Sequence, residues 1–438
     1  MDWDVIVVGA GAAGLVAAER AAARGKKTLL LERNRKPGVK ILISGGTRCN
    51  LTHATDRRGI VAAYGPAGRF LHSALAALGP DELVALVEAE GVQTKIEETG
   101  KIFPVSDRAT DVLAAFMARL ERTDCELAAE ESLVELERLG SEELDGQSSS
   151  DGAATGFRLV TSRRTLSAHA VVITTGGQSY PKSGTTGDGY RFAAKFGHTI
   201  IAPRPALTPI TTYSPWVRSL SGITIPDVEL RLFEPENSHH PPGDGAEQVN
   251  GKVKPLDIRR SSLLFTHFGL SGPVALDLSR HISGHSRQQA LILVADFLPA
   301  IKPAALEEQL HRQAMAEGKK QLLTLVPEIV PRRLAEIMLD EAKLAHDAKA
   351  GELSKTGRAA LVQSIKQLPI AVAGTKGFDK AEVTAGGVNL DEVDSRTMQS
   401  KLVPQLYLAG EVLDLDGPIG GYNFQAAFST GWLAGISV

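Results

Sequence analysis

Cysteine is almost missing from this chain: 438 residues contain two, Cys49 and Cys125. With no C-x-x-C spacing they exclude a disulfide framework, a dithiol redox motif and a zinc knuckle, and they point to a reducing, cytoplasmic setting. Aromatic residues are scarce, at 5%. No uninterrupted apolar run reaches the ~18 residues of a membrane span. The apolar stretch from Val5 to Ala23 follows Asp2 and Asp4 and is broken by Glu19 and Arg20, so neither a span nor a signal peptide is expected. Neither sign of charge dominates. A net charge of −3 gives no whole-chain nucleic-acid footprint, although it leaves room for a local basic patch. There is no H-E-x-x-H, His239 and His240 fall in a polar stretch, and no metal is expected. Glycine, by contrast, is abundant, with 43 residues beside 43% hydrophobic and 23% charged. That balance suits a globular α/β chain with tight backbone turns, of two or three domains at ~150 residues each.

The pattern along the chain sharpens this. Residues 4–8 are a β-branched run that reads as a buried strand. A glycine turn follows, then an Ala-rich helix to Arg24 stopped by Gly25, then a second apolar run ending at Glu32; together they make a βαβ unit. Residues 81–90 and 109–120 read as amphipathic helices. Leu127 to Val160 reads as strands, with a polar break at 146–152 expected to be a hairpin tip. Ala170 to Thr175 is another buried strand. Proline becomes frequent after about residue 198, and 234–254 reads as a long polar loop. Leu306 to Ala348 is mostly helical, interrupted at Pro327 and Pro331. Gln405 to Ala409 reads as a buried strand, and Phe424 to Ala434 as a helix of small residues.

Four motifs carry chemistry. Gly9-x-Gly11-x-x-Gly14 lies between strand and helix with Glu32 closing the next strand. Gly9 permits the turn, Gly11 lets backbone approach a pyrophosphate, Gly14 allows close helix–strand packing, and Glu32 can accept from ribose hydroxyls, which argues against a 2′-phosphate. In Ser44-Gly-Gly-Thr-Arg-Cys-Asn50 the adjacent glycines expose N–H groups and Arg48 offers a forked phosphate donor. Thr174-Thr-Gly-Gly177 and Gly184-Thr-Thr-Gly-Asp-Gly189 form a strand end and a second glycine loop. Finally, Leu406 to Glu411 is a strand ending on Ala-Gly-acid, followed by Gly420-Gly-Tyr-Asn-Phe-Gln425. Glu411 is placed to accept from a ribityl hydroxyl, and the helix after Gly421 turns its positive end toward the reduced flavin's pyrimidine edge. These marks predict FAD, adenosine end near residue 9 and flavin end near residue 420, rather than an NAD-binding dehydrogenase.

The combination resembles the two-dinucleotide-binding-domain flavoproteins, and among them the BaiN-like (YhiN-like) NAD(P)/FAD-dependent oxidoreductases, which include aminoacetone-oxidase-family FAD-binding enzymes. The resemblance rests on Gly38 to Thr52, Gly100-Lys-Ile-Phe-Pro104, Gly176 to Tyr190, Phe265 to Pro273, Val383 to Val388 and Gly410 to Gln425, nearly the whole chain. The family usually has Gly where Thr47 stands. The Thr-Gly-Asp-Gly step also resembles fumarate reductases. The resemblance implies a Rossmann-like FAD domain in two parts, 1–197 and 381–438, around an inserted β-barrel plus helical domain at 198–380. It also implies either bile-acid enone reduction or aminoacetone oxidation. Covalent flavin in the fumarate-reductase relatives uses a His just before the second motif's glycine pair; none lies between Arg33 and Thr52, so FAD is expected to be non-covalent.

The expected cofactor set is Gly9, Gly11, Ala12, Ala13, Gly14, Glu32, Arg33, Lys40, Ser44, Gly45, Gly46, Arg48, Cys49, Asn50, Thr175, Gly176, Gly177, Gly410, Glu411, Gly420, Gly421, Tyr422 and Asn423. Only one G-x-G-x-x-G is present, so NAD(P)H is expected as a visiting donor without its own domain, unless the substrate itself reduces the flavin. His267, in a segment with the composition of a lid over the flavin, and Tyr422 are the expected proton donors; an imidazole titrates in the useful range. Hydride transfer on a small-molecule substrate, with no nucleic-acid or membrane partner, is the leading expectation. A flavin-dependent tRNA modifier, favoured only by the cluster Arg33, Arg35, Lys36 and Lys40, and a flavin binder without turnover are the alternatives.

Overall fold

The computed structural model describes residues 1–139, 156–234 and 253–438. The expected hairpin tip at 146–152 and most of the polar loop at 234–254 lie outside them. The chain forms two units: Met1–Arg204 with Glu382–Val438, and Pro205–Ala381.

The first unit is built on a seven-stranded sheet among the described residues. Trp3–Val8 lies at its centre, parallel to Thr28–Glu32 on one side (Val8 opposite Leu31) and to Thr165–Ile173 on the other (Val8 opposite Ile173). Glu126–Ala129 extends the sheet beyond Thr28–Glu32. Thr165–Ile173 pairs two ways along one edge. Its first half runs antiparallel to Gly156–Thr161, and its last three residues run parallel to Leu406–Leu408. Five parallel strands therefore end on one edge, at Val8, Glu32, Ala129, Ile173 and Leu408. In an open α/β sheet that edge is where ligands sit, because the chain turns there and backbone N–H groups are unpaired. All four predicted motifs follow those ends.

Helix Ala12–Ala23 is crossed by helix Tyr422–Ser437. The crossing is tight because the second helix turns glycines toward the first. A Cβ on Gly431 would overlap the Ala13 carbonyl oxygen and lie 2.7 Å from its Cα, and one on Gly435 would lie 3.0 Å from the Ala17 Cα. Small residues at positions i and i+4 let two helix backbones touch, and the backbones then fix each other's N-termini.

Buried His198 ties three segments together in this unit: Nδ1 lies 3.1 Å from the Glu392 carboxylate and Nε2 2.8 Å from the Ser400 hydroxyl. Burial holds its pKa below the usual histidine value, outweighing Glu392.

The second unit contains a closed six-stranded barrel: Ile210–Thr212, Gly269–Ser271, Asp257–Thr266, Thr224–Phe233, Ile292–Asp296 and Leu368–Thr375. Helices Pro303–Ala316, Arg332–Glu341 and Lys355–Lys366 accompany it, with the breaks at Pro327 and Pro331 where expected. Phe265, Phe297, Leu230, Leu293 and Ile370 fill its core, separate from the core under the first unit's sheet. Among the described residues no single helix is long and apolar enough to cross a membrane.

Candidate functional site

The turn after Trp3–Val8 has the shape that dinucleotide binding demands. Gly9 takes φ +104°, and a Cβ there would lie 2.9 Å from the Thr174 carbonyl oxygen. A Cβ on Gly14 would overlap the Gly9 carbonyl oxygen and lie 2.7 Å from the Thr174 hydroxyl, whereas nothing lies within 4 Å of the corresponding position on Gly11. The backbone is thus pressed on the sheet side and open at Gly11. No side chain caps helix Ala12–Ala23, leaving its first N–H groups to a ligand.

Glu32 is nearly buried, at 7% exposure. Its carboxylate accepts from the backbone N–H of Ala10 (2.9 Å) and of Asn34 (2.8 Å), tying the glycine turn to the end of its own strand. Burial pushes its pKa above the usual range, against the pull of those two N–H groups. A carboxylate with two N–H partners still has lone pairs for ribose hydroxyls.

The charged residues are engaged differently from the sequence expectation. Arg33 donates to the Gly184 carbonyl (3.1 Å), the Thr186 hydroxyl (2.6 Å) and Asp188 (2.8 Å), which closes the second glycine loop onto the sheet edge. Arg48, expected to offer its fork to a phosphate, pairs instead with Glu97 (2.6 Å) and Asp107 (3.4 Å), and its guanidinium lies 3.9 Å from the Phe103 ring centre. Both carboxylates meet the same nitrogen, Nη1. Lys40 bonds to Glu411 and to the Ser179 hydroxyl. Glu411 also accepts from the Ser179 hydroxyl (2.7 Å) and the Thr384 N–H (2.8 Å). The acid expected to reach a ribityl hydroxyl is therefore the hub of a local network.

Ser44, Gly45 and Gly46 break the helical run Val39–Thr47, and Gly45 and Gly46 are left-handed. Thr47 (φ +71°) and Cys49 (φ +64°) are left-handed as well. For Thr47, which is exposed and β-branched, that conformation costs roughly 1–2 kcal/mol that glycine does not incur. Thr47→Gly is therefore expected to raise unfolding free energy by about 1 kcal/mol, read from denaturant midpoints at unchanged m; an unchanged or lower midpoint would show the strain to be relieved already. Cys49 is buried, and burial pushes its thiol up to about 12. It is expected to resist iodoacetamide at pH 8 in the native protein, and Cys49→Ser to keep flavin turnover; rapid alkylation with loss of turnover would give it a chemical role.

At the other end, Thr175 carries a buried hydroxyl oxygen with no hydrogen-bond partner among the described residues, beside Gly176 (φ +75°) and Gly177. Gly410 (φ +78°) admits Ala13, whose Cβ would lie 2.9 Å from a Cβ at 410. Gly420 and Gly421 are left-handed before the uncapped helix Tyr422–Ser437. Asn423 bonds through both amide atoms to Gly417, at 2.8 and 2.9 Å, and so holds its own loop. The Tyr422 ring stacks on His53 with centroids 4.6 Å apart, and the Tyr64 hydroxyl donates to the Tyr422 carbonyl at 3.0 Å. An open glycine turn, an orphaned hydroxyl and two uncapped helix N-termini on one sheet edge fit FAD.

His53, Tyr64, Ser179 and Thr384 belong to this assembly and were not singled out from sequence. Ser179 and Thr384 fall inside quoted segments and His53 directly follows another, but their partners are remote in the chain. His267 lies in the second unit. It is exposed, in the turn between Asp257–Thr266 and Gly269–Ser271. The segment expected to be a lid is thus a hairpin of the barrel followed by helix Pro273–Ser283, with Phe265 in the barrel core. Among the described residues no group of three His, Cys, Asp or Glu side chains could hold a metal.

A family model described as the HI0933-like protein Rossmann domain matches residues 3–437. The chain is 32% identical over 433 residues to ribosomal RNA dihydrouridine synthase of Escherichia coli (strain K12), covering 98% of this chain and 96% of that one. It is 29% identical over 440 residues to 3-dehydro-bile acid delta(4,6)-reductase of Clostridium scindens, covering 98% and 97%. Among solved structures, 3-ketosteroid delta1-dehydrogenase from Sterolibacterium denitrificans aligns over 99% of this chain and 98% of that one, with a TM-score of 0.48 and 14% identity. With a family model spanning nearly its full length and a relative 32% identical over 98% of it, the chain belongs to the HI0933-like family and is an FAD-dependent oxidoreductase.

Proposed function

We propose that the enzyme saturates a carbon–carbon double bond conjugated to a carbonyl, with NAD(P)H as the source of hydride. The observation that carries this reading is that two full-length relatives bear names describing one type of reaction. Dihydrouridine is uridine with C5=C6, next to the C4 carbonyl, saturated. A 3-dehydro bile acid with Δ4,6 unsaturation is a conjugated ketone. At C5=C6 of uracil and at C4=C5 of the steroid, hydride adds at the carbon β to the carbonyl and a proton at α. At the steroid's C6=C7 bond hydride adds at the δ carbon through the extended conjugation and a proton at γ, so one NAD(P)H and one proton are consumed per bond.

Bound FAD would supply the ring that carries hydride between donor and substrate. The chain's own residues supply the rest. The Gly9–Gly14 turn with the N-terminus of helix Ala12–Ala23 takes the pyrophosphate, and Glu32 takes the ribose. Thr175, with Gly176 and Gly410, lines the approach to the ring, and the N–H groups of Tyr422 and Asn423 face its pyrimidine edge. Preorganised N–H groups at a helix N-terminus stabilise negative charge where the reduced ring carries it. Tyr422 and His267 are the residues proposed to deliver the proton.

A second reading makes the substrate a uracil base in RNA, and the 32% identical relative's name favours it. Exposed Arg35 and Lys36 beside the adenosine motif would then meet phosphate, although the net charge of −3 gives little long-range steering.

The test is anaerobic. Purified yellow protein is bleached with NADH or NADPH, then mixed with a 3-keto-Δ4 steroid, with unmodified ribosomal RNA transcript, or with buffer. Return of flavin absorbance with the steroid alone supports a small-molecule enone, and return with RNA alone, together with a steep salt dependence, supports the uracil reading. No return with either, together with bleaching of oxidised enzyme by an amine such as aminoacetone, would overturn the proposal. Stopped-flow of each half-reaction in His267→Ala and Tyr422→Phe then assigns the proton; equal rates to wild type in both would leave neither as donor.

A further inference from the structure

The peptide that links Gly420 to Gly421 is gripped at both ends. Its carbonyl oxygen lies 3.0 Å from Nδ1 of His53. Its N–H donates to the Asn50 side-chain oxygen at 2.9 Å, in the amide orientation that also lets Asn50 donate to the Thr52 carbonyl at 3.1 Å. A carbonyl oxygen only accepts, so His53 carries a proton on Nδ1 whatever the charge of the ring. Both grips come from one stretch of chain. His53 is in the two-residue strand Thr52–His53, opposite Lys101, and the Thr52 hydroxyl donates to Gln425 in the first turn of helix Tyr422–Ser437 at 2.6 Å.

The imidazole occupies a slot made for a ring. On one side Gly100 (φ +78°) would, with a Cβ, lie 2.6 Å from Nε2. On the other a Cβ on Gly420 would lie 3.2 Å from Nδ1. The Tyr422 ring covers its face at 4.6 Å. A histidine needed only for packing has no reason to direct a ring N–H at the carbonyl just ahead of the N-cap of an uncapped helix.

We propose that His53 is a positioning residue for the flavin: its Nδ1–H sets the plane of the Gly420–Gly421 peptide, and through it the direction in which the N-terminal turn of helix Tyr422–Ser437 presents its N–H groups. Those are the groups assigned above to the pyrimidine edge of the ring, so the inference rests on the FAD reading. Reduced flavin carries more negative charge at that edge than oxidised flavin. Rotating the peptide therefore weakens binding of the reduced form more than that of the oxidised form, which lowers the midpoint potential.

The test compares FAD-loaded wild type with His53→Phe, which keeps a ring against Tyr422 but lacks the donor, and with His53→Asn, which keeps a donor near the Nδ1 position but lacks the ring. Midpoint potential is measured by slow enzymatic reduction with a reference dye, with FAD affinity and thermal midpoint measured beside it. In His53→Phe the preference for reduced over oxidised flavin is expected to fall about tenfold, which is about 30 mV for a two-electron couple. His53→Asn is expected to stay within about threefold of wild type on the same scale. A His53→Phe potential equal to wild type with FAD bound, or a His53→Asn drop as large as that of His53→Phe, would overturn the inference alone. If His53→Phe fails to hold FAD, His53→Gln against His53→Met is read by the same criteria. A wild-type chain that takes up no FAD would overturn the cofactor reading and this inference with it.

Discussion

Gly431→Val is expected to lose its FAD and to be destabilised by about 3 kcal/mol or more, the upper end of the overpacking range. The clash is with backbone. A Cβ at 431 overlaps the Ala13 carbonyl oxygen and comes within 2.7 Å of the Ala13 Cα, so no side-chain rotation relieves it. The two helices must part, and their N-termini are the parts of the fold assigned to the pyrophosphate and to the pyrimidine edge. Ala13 also faces Gly410, so the displacement reaches the strand end that carries Glu411. Flavin absorbance after dialysis and a denaturant melt of the apoprotein read the two effects separately. A yellow protein with a wild-type midpoint would mean that the crossing is far looser than the structure has it.

Glu32→Ala is the second large effect. The substitution removes the acceptor for two backbone N–H groups, on Ala10 and Asn34, and opens a gap in a nearly buried position. A buried donor left without a partner costs about 1–3 kcal/mol, and a charge-assisted bond to a ribose hydroxyl adds roughly 1.5–3 kcal/mol to FAD binding. FAD affinity is expected to fall at least tenfold by titration of the apoprotein, and the apoprotein itself to melt lower. Glu32→Gln separates the terms: it fills the space and keeps one acceptor, so its melt is expected to lie between the two while its affinity stays low. Unchanged affinity in both variants would leave Glu32 as a tie between strand and turn with no ligand.

The raised pKa of Glu32 has a defined sign. A carboxyl whose folded pKa lies above its unfolded value favours folding most fully below the unfolded value, and that contribution is lost as pH rises through the folded value. Buried His198 acts in the same direction as ordinary acid denaturation. Its pKa is lowered in the fold, so its contribution is present above about pH 6.5 and fades as pH falls through its folded value.

The glycines were legible from sequence because a left-handed turn or a close backbone approach leaves few other choices, and the spacing 9, 11 and 14 places the demands along one strand and helix. The small residues of the C-terminal helix were visible too, although their reason, the backbone of Ala12–Ala23, was not. Charged side chains were the least legible. Arg48 follows two glycines and looks free to reach a phosphate until Glu97 and Asp107 arrive from another part of the chain. Lys40 meets Glu411 across almost the whole sequence. The same remoteness hid His53, whose partner carbonyl is at Gly420. His267 was read from local composition as part of a lid, and the pairing of Asp257–Thr266 with Thr224–Phe233 and with Gly269–Ser271, which places it in a barrel hairpin, was not visible in that composition.

The split of the first unit around Pro205–Ala381 sets a timetable for biosynthesis. At about 5–20 residues per second, roughly 12–47 s separate emergence of Thr165–Ile173 from that of Leu406–Leu408. During that interval the end of Thr165–Ile173 is an unpaired parallel edge, and the surface of Ala12–Ala23 that Gly431 and Gly435 later cover faces water. The barrel, whose strands all lie between Ile210 and Thr375, can close first on the ribosome. Cofactor capture falls at the end of the schedule, when Tyr422–Ser437 docks, so nascent chains stalled before that helix are the form in which this enzyme most needs a chaperone.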